Sequence, residues 1–404
     1  MEGDFIKINE WLLPFSWLYG VVVGIRNTLF DLGILKSRSF DVPVISVGNI
    51  TVGGSGKTPH VEYLIRLLHS KYRVAVLSRG YKRKTKGFIL ADENSTIREI
   101  GDEPYQMHHK FKDVSIAVDR NRCNGIERIT TDEATKDTDV ILLDDAYQHR
   151  YVKPGINILL VDYHRLIIYD KLLPAGRLRE PKEGKTRADI VIVTKCPKDL
   201  KPMSFRVLTR ALNLFPYQQL YFTCLQYGNL KAIFNESTRR LDEIKPDEHI
   251  LLVTGIASPE QMVEDLAPYS KNIISLEYSD HHQFNADDVE KINNTFAMMQ
   301  TPRFIITTEK DATRLENIEG LSEDVKNNIY TLPVEVKVML DQQEKFDEVI
   351  MSYVQKNSKN STLTKEKNRK IQEAKKPTDS KEKPIRLPDN NDSQASKPPM
   401  KIRF

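Results

Sequence analysis

A chain of 404 residues is long enough for two domains, or three. Apolar residues at 40% and charged residues at 29% fit a soluble globular body and exclude collagen, a simple coiled coil and a disulfide-rich scaffold. Three cysteines (Cys123, Cys196 and Cys224) with no C-x-x-C pair argue against structural zinc and fit a reducing compartment. The net charge of +4 is uneven. Residues 355–404 carry 14 Lys and Arg against 6 Asp and Glu, so the remainder is slightly acidic.

The first forty residues hold both tryptophans, Trp11 and Trp17. No charge interrupts Trp11 to Ile25, a stretch shorter than the roughly 20 residues that cross a bilayer. Leu18, Val21, Val22, Ile25, Leu29 and Leu32 recur at helical spacing among Arg26, Asn27 and Asp31, and Lys36 and Arg38 follow. Residues 1–38 therefore read as a helix lying in a membrane interface, with Trp and Tyr at headgroup depth. An ordinary core helix is the plainer alternative. Glu2 and Asp4 precede Lys7 and no small-residue cleavage site follows, so a signal peptide is not expected.

From Pro43 onward, short β-branched runs alternate with helical patterns. Strands are expected at Val44–Val47, Val74–Leu77, Val114–Val118, Val140–Leu143, Ile156–Val161 and Ile190–Val193, with a helix at His60–Tyr72. Nearly continuous hydrophobic strands imply cover on both faces, hence an α/β fold with a largely parallel sheet flanked by helices. After a turn near Asn213–Tyr217, a strand is expected at Gln219–Cys224. A second α/β stretch follows, with Ile250–Thr254, Pro259–Leu266, Ile273–Leu276, Ala286–Met299 and Phe304–Thr307. The boundaries read as 39–215 for the larger domain and 216–354 for the smaller one. Residues 355–404 have too few apolar side chains to offset ordering entropy and read as a disordered basic tail.

The strongest local signal is Val44-Ile45-Ser46-Val47-Gly48-Asn49-Ile50-Thr51-Val52-Gly53-Gly54-Ser55-Gly56-Lys57-Thr58-Pro59. A buried strand enters a glycine-rich turn, then Lys-Thr, then a helix. In a P-loop the glycines let backbone N–H groups converge on phosphate oxygens. Lys57 would reach the β- and γ-phosphates and Thr58 would ligate Mg²⁺. Thr51 stands where the strict pattern has glycine. A neighbouring strand should supply an acid for the metal, and Val140-Ile141-Leu142-Leu143-Asp144-Asp145 does so.

Further polar clusters close other elements. Ser78-Arg79-Gly80-Tyr81 ends a strand, and Gly101-Asp102-Glu103-Pro104 opens a helix, where acids suit the positive dipole end. Helix capping is the bland reading of Asp102. In Asp280-His281-His282, adjacent histidines cannot share a helix face, so a metal held by both is not expected, but a histidine beside a carboxylate can assist proton transfer. Thr307-Thr308-Glu309-Lys310-Asp311 ends a strand, and a salt-bridged turn is its bland reading.

Taken in order, these motifs, with Asp144-Asp145-Ala146-Tyr147-Gln148-His149-Arg150 and Leu172-Leu173-Pro174-Ala175-Gly176-Arg177-Leu178-Arg179-Glu180-Pro181, resemble the tetraacyldisaccharide 4′-kinase family as far as about residue 340. That family also has Thr or Ser where Thr51 stands. The resemblance implies a P-loop NTPase-type domain, a smaller C-terminal domain and a membrane-associated N-terminal helix. It implies ATP-dependent phosphorylation of the 4′-hydroxyl of an acylated glucosamine disaccharide 1-phosphate at the cytoplasmic face of the inner membrane. ATP and Mg²⁺ are the implied cofactors. The partners are the lipid substrate and the membrane surface, with no nucleic acid expected and no protein partner implied.

By motif, Thr51, Gly53, Gly54, Ser55, Gly56, Lys57 and Thr58 would hold ATP, and Thr58, Asp144 and Asp145 the metal. Asp102 would be the base, assisted by His281 or His282. Arg79, Glu103, Gln148, His149, Arg179 and Glu180 would lie toward the substrate. The sequence departs from the family pattern at Ala146-Tyr147 (usually Gly-Phe), Lys82 (usually Gly) and Arg177 (commonly Pro). A soluble P-loop sugar or nucleotide kinase leaves the Trp-rich segment unexplained. A P-loop GTPase would need Asn-Lys-x-Asp, which Thr194-Lys195-Cys196-Pro197 does not supply.

Overall fold

The computed structural model describes residue 6 and residues 8–256, 259–279 and 282–374. In chain order the elements are α1 (Leu13–Asp31), β1 (Val44–Gly48), α2 (Lys57–Leu68), β2 (Val74–Ser78), β3 (Ile89–Leu90), α3 (Ile97–Ile100), α4 (Asp102–Lys110), β4 (Ser115–Val118), α5 (Arg122–Thr131), β5 (Val140–Asp144), β6 (Ile156–Asp162), β7 (Ile190–Thr194), α6 (Pro202–Leu212) and β8 (Gln219–Tyr227). Then come β9 (Leu230–Ala232), β10 (Thr238–Arg239), β11 (His249–Thr254), α7 (Pro259–Leu266), β12 (Asn272–Glu277), α8 (Ala286–Met298), β13 (Arg303–Thr308), α9 (Glu309–Leu315), α10 (Glu323–Asn328), β14 (Ile329–Leu332), β15 (Val334–Val338) and α11 (Gln343–Ala374).

The larger sheet runs β15-β8-β7-β6-β1-β5-β2-β4-β3, with β1 between β6 and β5 and parallel pairing from β8 through β4. The smaller sheet runs β10-β9-β14-β13-β11-β12, parallel through β14-β13-β11-β12. This corrects the expected boundary at 215/216. Strands β8 and β15 belong to the larger sheet, so the smaller one is an insertion carried on that antiparallel pair.

Strands β1, β2, β5 and β7 are buried at every position, as their continuous apolar runs require. On one face, Ile45, Val47, Ile158 and Ile192 pack with Val61, Leu64, Ile65 and Leu68 of α2 and with Phe346, Ile350 and Val354 of α11. On the other, α6 covers β6 and β7, and α5 covers β2 and β5. Helix α2 starts at Lys57 and stops at Leu68, earlier than the expected Tyr72, where the His69-Ser70-Lys71 turn begins.

The chain divides at Ser361 into a compact body and a C-terminal unit. Helix α11 runs from Gln343 to Ala374, across the start of the expected tail, and its first turns are anchored by Phe346, Ile350 and Val354. The rest of the expected tail lies outside the described residues.

Helix α1 is docked by its polar and small side chains. Ser16 Oγ donates to Leu172 O (2.7 Å) and accepts from Ala175 N–H (2.9 Å), and Tyr19 Oη donates to Arg179 O (2.7 Å). Arg26 donates to Gln148 O (3.0 Å), and Arg150 donates to Asn27 O (3.0 Å). The opposite face carries Phe15, Leu18, Val22 and Ile25 at spacings of three and four, all exposed, with Trp11 at 91% and Trp17 at 72%. Among the described residues no helix is long and apolar enough to cross a membrane.

Candidate active site

Strand β1 ends at Gly48, where a Cβ would meet Tyr147 Cβ at 2.8 Å, so the turn after β5 approaches as closely as only glycine permits. The chain then winds through residues 49–56 into α2. Gly53 (φ 119°) and Gly56 (φ 78°) adopt backbone conformations that L side chains rarely take. The loop is clamped from outside. Val52 N–H donates to Arg177 O (2.7 Å), and Arg179 N–H to Ile50 O (2.7 Å). Thr51 is buried and its Oγ1 accepts from Asn49 Nδ2 (3.1 Å), which gives this position a use for a hydroxyl in place of glycine. Thr194 Oγ1 donates to Ser55 O (3.0 Å), and the buried His60 ring bridges Gly56 O (2.7 Å) and Thr223 Oγ1 (3.0 Å). Burial lowers the His60 pKa to about 4, so the ring is neutral. Lys57 and Thr58 thus stand at the positive end of a 12-residue helix on a braced loop.

Pairing of β1 with β5 places Val47 opposite Asp144 and brings both carboxylates beside the loop. Asp144 is buried; its Oδ2 accepts from Ser78 Oγ (2.9 Å) and its Oδ1 has no protein partner. Burial, reinforced by the Asp145 charge, raises the Asp144 pKa. Asp145 differs. Burial opposes its ionisation, but Lys57 (3.6 Å) and Arg179 (3.2 Å to each oxygen) outweigh that and hold its pKa low. Among the described residues no three His, Cys, Asp or Glu side chains cluster as a metal cage. Mg²⁺ does not require one: it commonly takes one or two carboxylates plus substrate phosphates. The unpartnered Asp144 oxygen and the adjacent Asp145 fit that donor set, and Thr58 follows Lys57, which lies 3.6 Å from Asp145.

Asp102 opens α4 as its first residue, with Gly101 (φ 93°) before it in the capping position. Its carboxylate accepts from Glu103 N–H (3.1 Å) and pairs with Arg314; Lys310 lies 3.9 Å away. Asp102 thus does more than bond the start of α4, because it also meets two cations of α9. Arg314 is buried and also holds Asp311 (2.9 Å), which accepts from Gly255 N–H (2.8 Å). Glu103, expected toward the substrate, sits in the carboxylate cluster. Burial first, then the Asp144 charge, raises its pKa to about 7 against the opposing pull of Lys57 and Lys310.

The remaining candidates divide. Gln148 donates to Asn49 O (2.6 Å) and to Glu180 Oε1 (3.1 Å), and Arg187 holds Glu180 Oε2 (2.8 Å). Gln148 and Glu180 are thus spent bracing the loop. Arg179 grips Asp145. Arg79 is exposed, and His149 is half-buried with an unpartnered Nε2. Burial, aided by Arg122, Arg26 and Arg79, lowers the His149 pKa to about 4. His282 Nε2 is taken by Asp288 (2.7 Å), and its ring stacks on Tyr278. His281 and Asp280 lie outside the described residues. Sequence reasoning missed Arg122, which is fully buried and donates to Asp119 O and Asp144 O at 2.9 Å each. The signal available was Asp119-Arg120-Asn121-Arg122, a polar cluster ending β4 as others end β1, β2 and β5.

The family model for tetraacyldisaccharide-1-P 4′-kinase matches residues 8–355. A tetraacyldisaccharide 4′-kinase from Phocaeicola vulgatus is 60% identical over 366 residues, covering 90% of this chain and 100% of that protein. One from Flavobacterium johnsoniae is 47% identical over 350 residues, covering 87% and 98%. A crystal structure of LpxK from Aquifex aeolicus in complex with ATP aligns with a TM-score of 0.66 at 30% identity, covering 86% of this chain and 99% of that one. With a family model spanning most of its length and relatives matched almost end to end, the chain belongs to the tetraacyldisaccharide-1-P 4′-kinase family.

Proposed function

We propose that the protein transfers the γ-phosphate of ATP to the 4′-hydroxyl of tetraacyldisaccharide 1-phosphate, forming lipid IVA in lipid A biosynthesis. The observation that carries this reading is the braced Lys57–Thr58 helix start beside Asp144 and Asp145, with a second carboxylate pair, Asp102 and Glu103, facing them from α4. Phosphoryl transfer rests on positioning and charge neutralisation more than on covalent chemistry. Lys57 supplies a cation for the β- and γ-phosphates. Thr58, Asp144 and Asp145 would hold Mg²⁺, which would neutralise phosphate charge when bound. Arg179 keeps Asp145 ionised and aimed.

The sugar hydroxyl must lose its proton as the new bond forms. Asp102 is the base in this reading, with its carboxylate oriented by Arg314. The neighbouring Glu103, whose pKa burial raises to about 7, is the second candidate. The exposed face of α1 would lie in the interface at the cytoplasmic side of the inner membrane, leaving the acyl chains in the bilayer while the sugar enters the cleft.

The test is label transfer from γ-labelled ATP to the acylated disaccharide 1-phosphate in detergent micelles. Label should appear at the 4′-position. Asp102→Asn should lower kcat by about 10²–10⁴ with ATP binding retained. If Asp102→Asn is near normal and Glu103→Gln is inert, the base is Glu103. Absence of lipid label with the parent would refute the function.

A further inference from the structure

The loop that leaves β2 at the same sheet edge as the P-loop carries four cations in Lys82-Arg83-Lys84-Thr85-Lys86, with no acid between Gly80 and Ala91. It begins at Ser78, which holds Asp144, and packs against the residue preceding Asp102. A Cβ on Gly101 would meet Tyr81 O at 3.0 Å, and one on Gly80 would meet Ile100 O at 2.9 Å. The loop is therefore tied at its root to both carboxylate pairs.

Its side chains alternate. Arg83 turns inward, donating to Val118 O (3.3 Å) and Gly87 O (2.6 Å), and Thr85 donates to Glu99 O (2.5 Å). Lys82, Lys84 and Lys86 are exposed between these anchors, and among the described residues no carboxylate pairs with any of them. Arg79, which influences His149 electrostatically, extends the row toward the site. Lys82 is also a lysine in left-handed backbone (φ 59°), a conformation glycine takes without cost. Its ammonium lies 5.8 Å from the centroid of the Tyr81 ring. Strain held at the rim of a site, in a residue whose charge is left unpaired, points to use of that charge.

We propose that Lys82, with Lys84 and Lys86, receives a phosphate monoester on the lipid substrate remote from the reacting hydroxyl. On the function proposed above, on which this rests, that group is the 1-phosphate. A fixed dianion at the far end of the disaccharide matches an unpaired basic rim on a loop rooted beside the reacting centre. These lysines set specificity for the phosphorylated substrate and take no part in the transfer step.

The test uses the full-length protein in neutral detergent micelles, with the disaccharide 1-phosphate as substrate and its 1-dephospho analogue as inhibitor. Lys82→Gly relieves the left-handed lysine, so its Tm should stay within about 2 °C of the parent. Its KM for the 1-phosphate should rise by about two- to five-fold, the size of one exposed ion pair. Combining it with Lys84→Gln and Lys86→Gln should raise KM at least about ten-fold, and the rise should shrink with added salt. kcat, the KM for ATP and the inhibition constant of the dephospho analogue should stay at parental values. Unchanged KM in the triple variant overturns the inference. So does an equal loss of affinity for the dephospho analogue, or a loss that appears only when phosphatidylglycerol is added, which would assign the lysines to bulk lipid. A parent that labels no lipid would instead refute the proposed function itself.

Discussion

Helices α1 and α2 share a geometry and invert its use. Of the 12 residues of α2, Val61, Leu64, Ile65 and Leu68 are buried at spacings of three and four, the ordinary signature of a helix on a core. Of the 19 residues of α1, only Ser16 and Phe30 are buried. The side turned to the protein carries Ser16, Tyr19, Arg26 and Phe30 and is held largely by hydrogen bonds to backbone carbonyls, while Phe15, Trp17, Leu18, Val22 and Ile25 face outward. Each such bond contributes about 0.5–1.5 kcal/mol net, whereas each buried aliphatic side chain of α2 contributes about 1.5–3 kcal/mol. The two helices present their apolar faces in opposite directions: α2 turns its own to the protein interior, and α1 turns its own outward. A contiguous exposed apolar face calls for an apolar partner, which under the proposed function is the membrane interface.

The largest effect should come from the functional end of α2. Lys57→Ala removes a cation from the phosphate site, and turnover should fall by about 10²–10³, the cost of losing one preorganised electrostatic group. Asp145 keeps Arg179, so the fold should persist. Steady-state kinetics with thermal melting separates the two readouts, and near-parental turnover would break the assignment. In the buried face of α2, Leu64→Ala should cost about 2–5 kcal/mol by urea unfolding. An outward-facing Leu18→Ala in α1 should cost well under about 1 kcal/mol in detergent-free solution. Equal costs would erase the contrast between the helices.

A smaller effect concerns the brace at the start of α2. The folded-state pKa of His60, about 4, lies below its unfolded value, so the unfolded chain binds the extra proton between those values. Stability contributed by neutral His60 is fully present above about pH 6.5 and is lost as pH falls toward 4, by roughly 3 kcal/mol in the limit. Urea midpoints for the parent should fall over this window, and those for His60→Gln should fall less. An identical pH dependence would place the acid sensitivity elsewhere.

Much of this was legible in the sequence because it depends on local order. The glycine-rich turn between a β-branched run and a helix, and the apolar run ending in Asp144-Asp145, announce strand ends of a parallel sheet, and the sheet brings strand ends together. What escaped depends on pairing across long separations. Nothing near Gln219 shows that β8 would pair with β15 over a hundred residues later, so the smaller sheet was given too long a span. Arg314 reaches Asp102 only because α9 meets α4, and sequence spacing could not assign it. Glu103 reads in sequence as a helix-start acid, because its raised pKa comes first from burial in the assembled cluster and then from the charge of Asp144, which belongs to a distant strand.

The most direct test of the account replaces Trp11, Phe15 and Trp17 by Ser, at exposures of 91%, 62% and 72%. The variant should be assayed for flotation with anionic liposomes at high salt and for phosphorylation of two substrates, the acylated disaccharide 1-phosphate in vesicles and its deacylated, water-soluble counterpart. The account predicts loss of flotation, a raised apparent KM for the acylated substrate, and unchanged ATP binding and unchanged turnover of the soluble one. A variant that floats and phosphorylates the vesicle-bound lipid like the parent would contradict it.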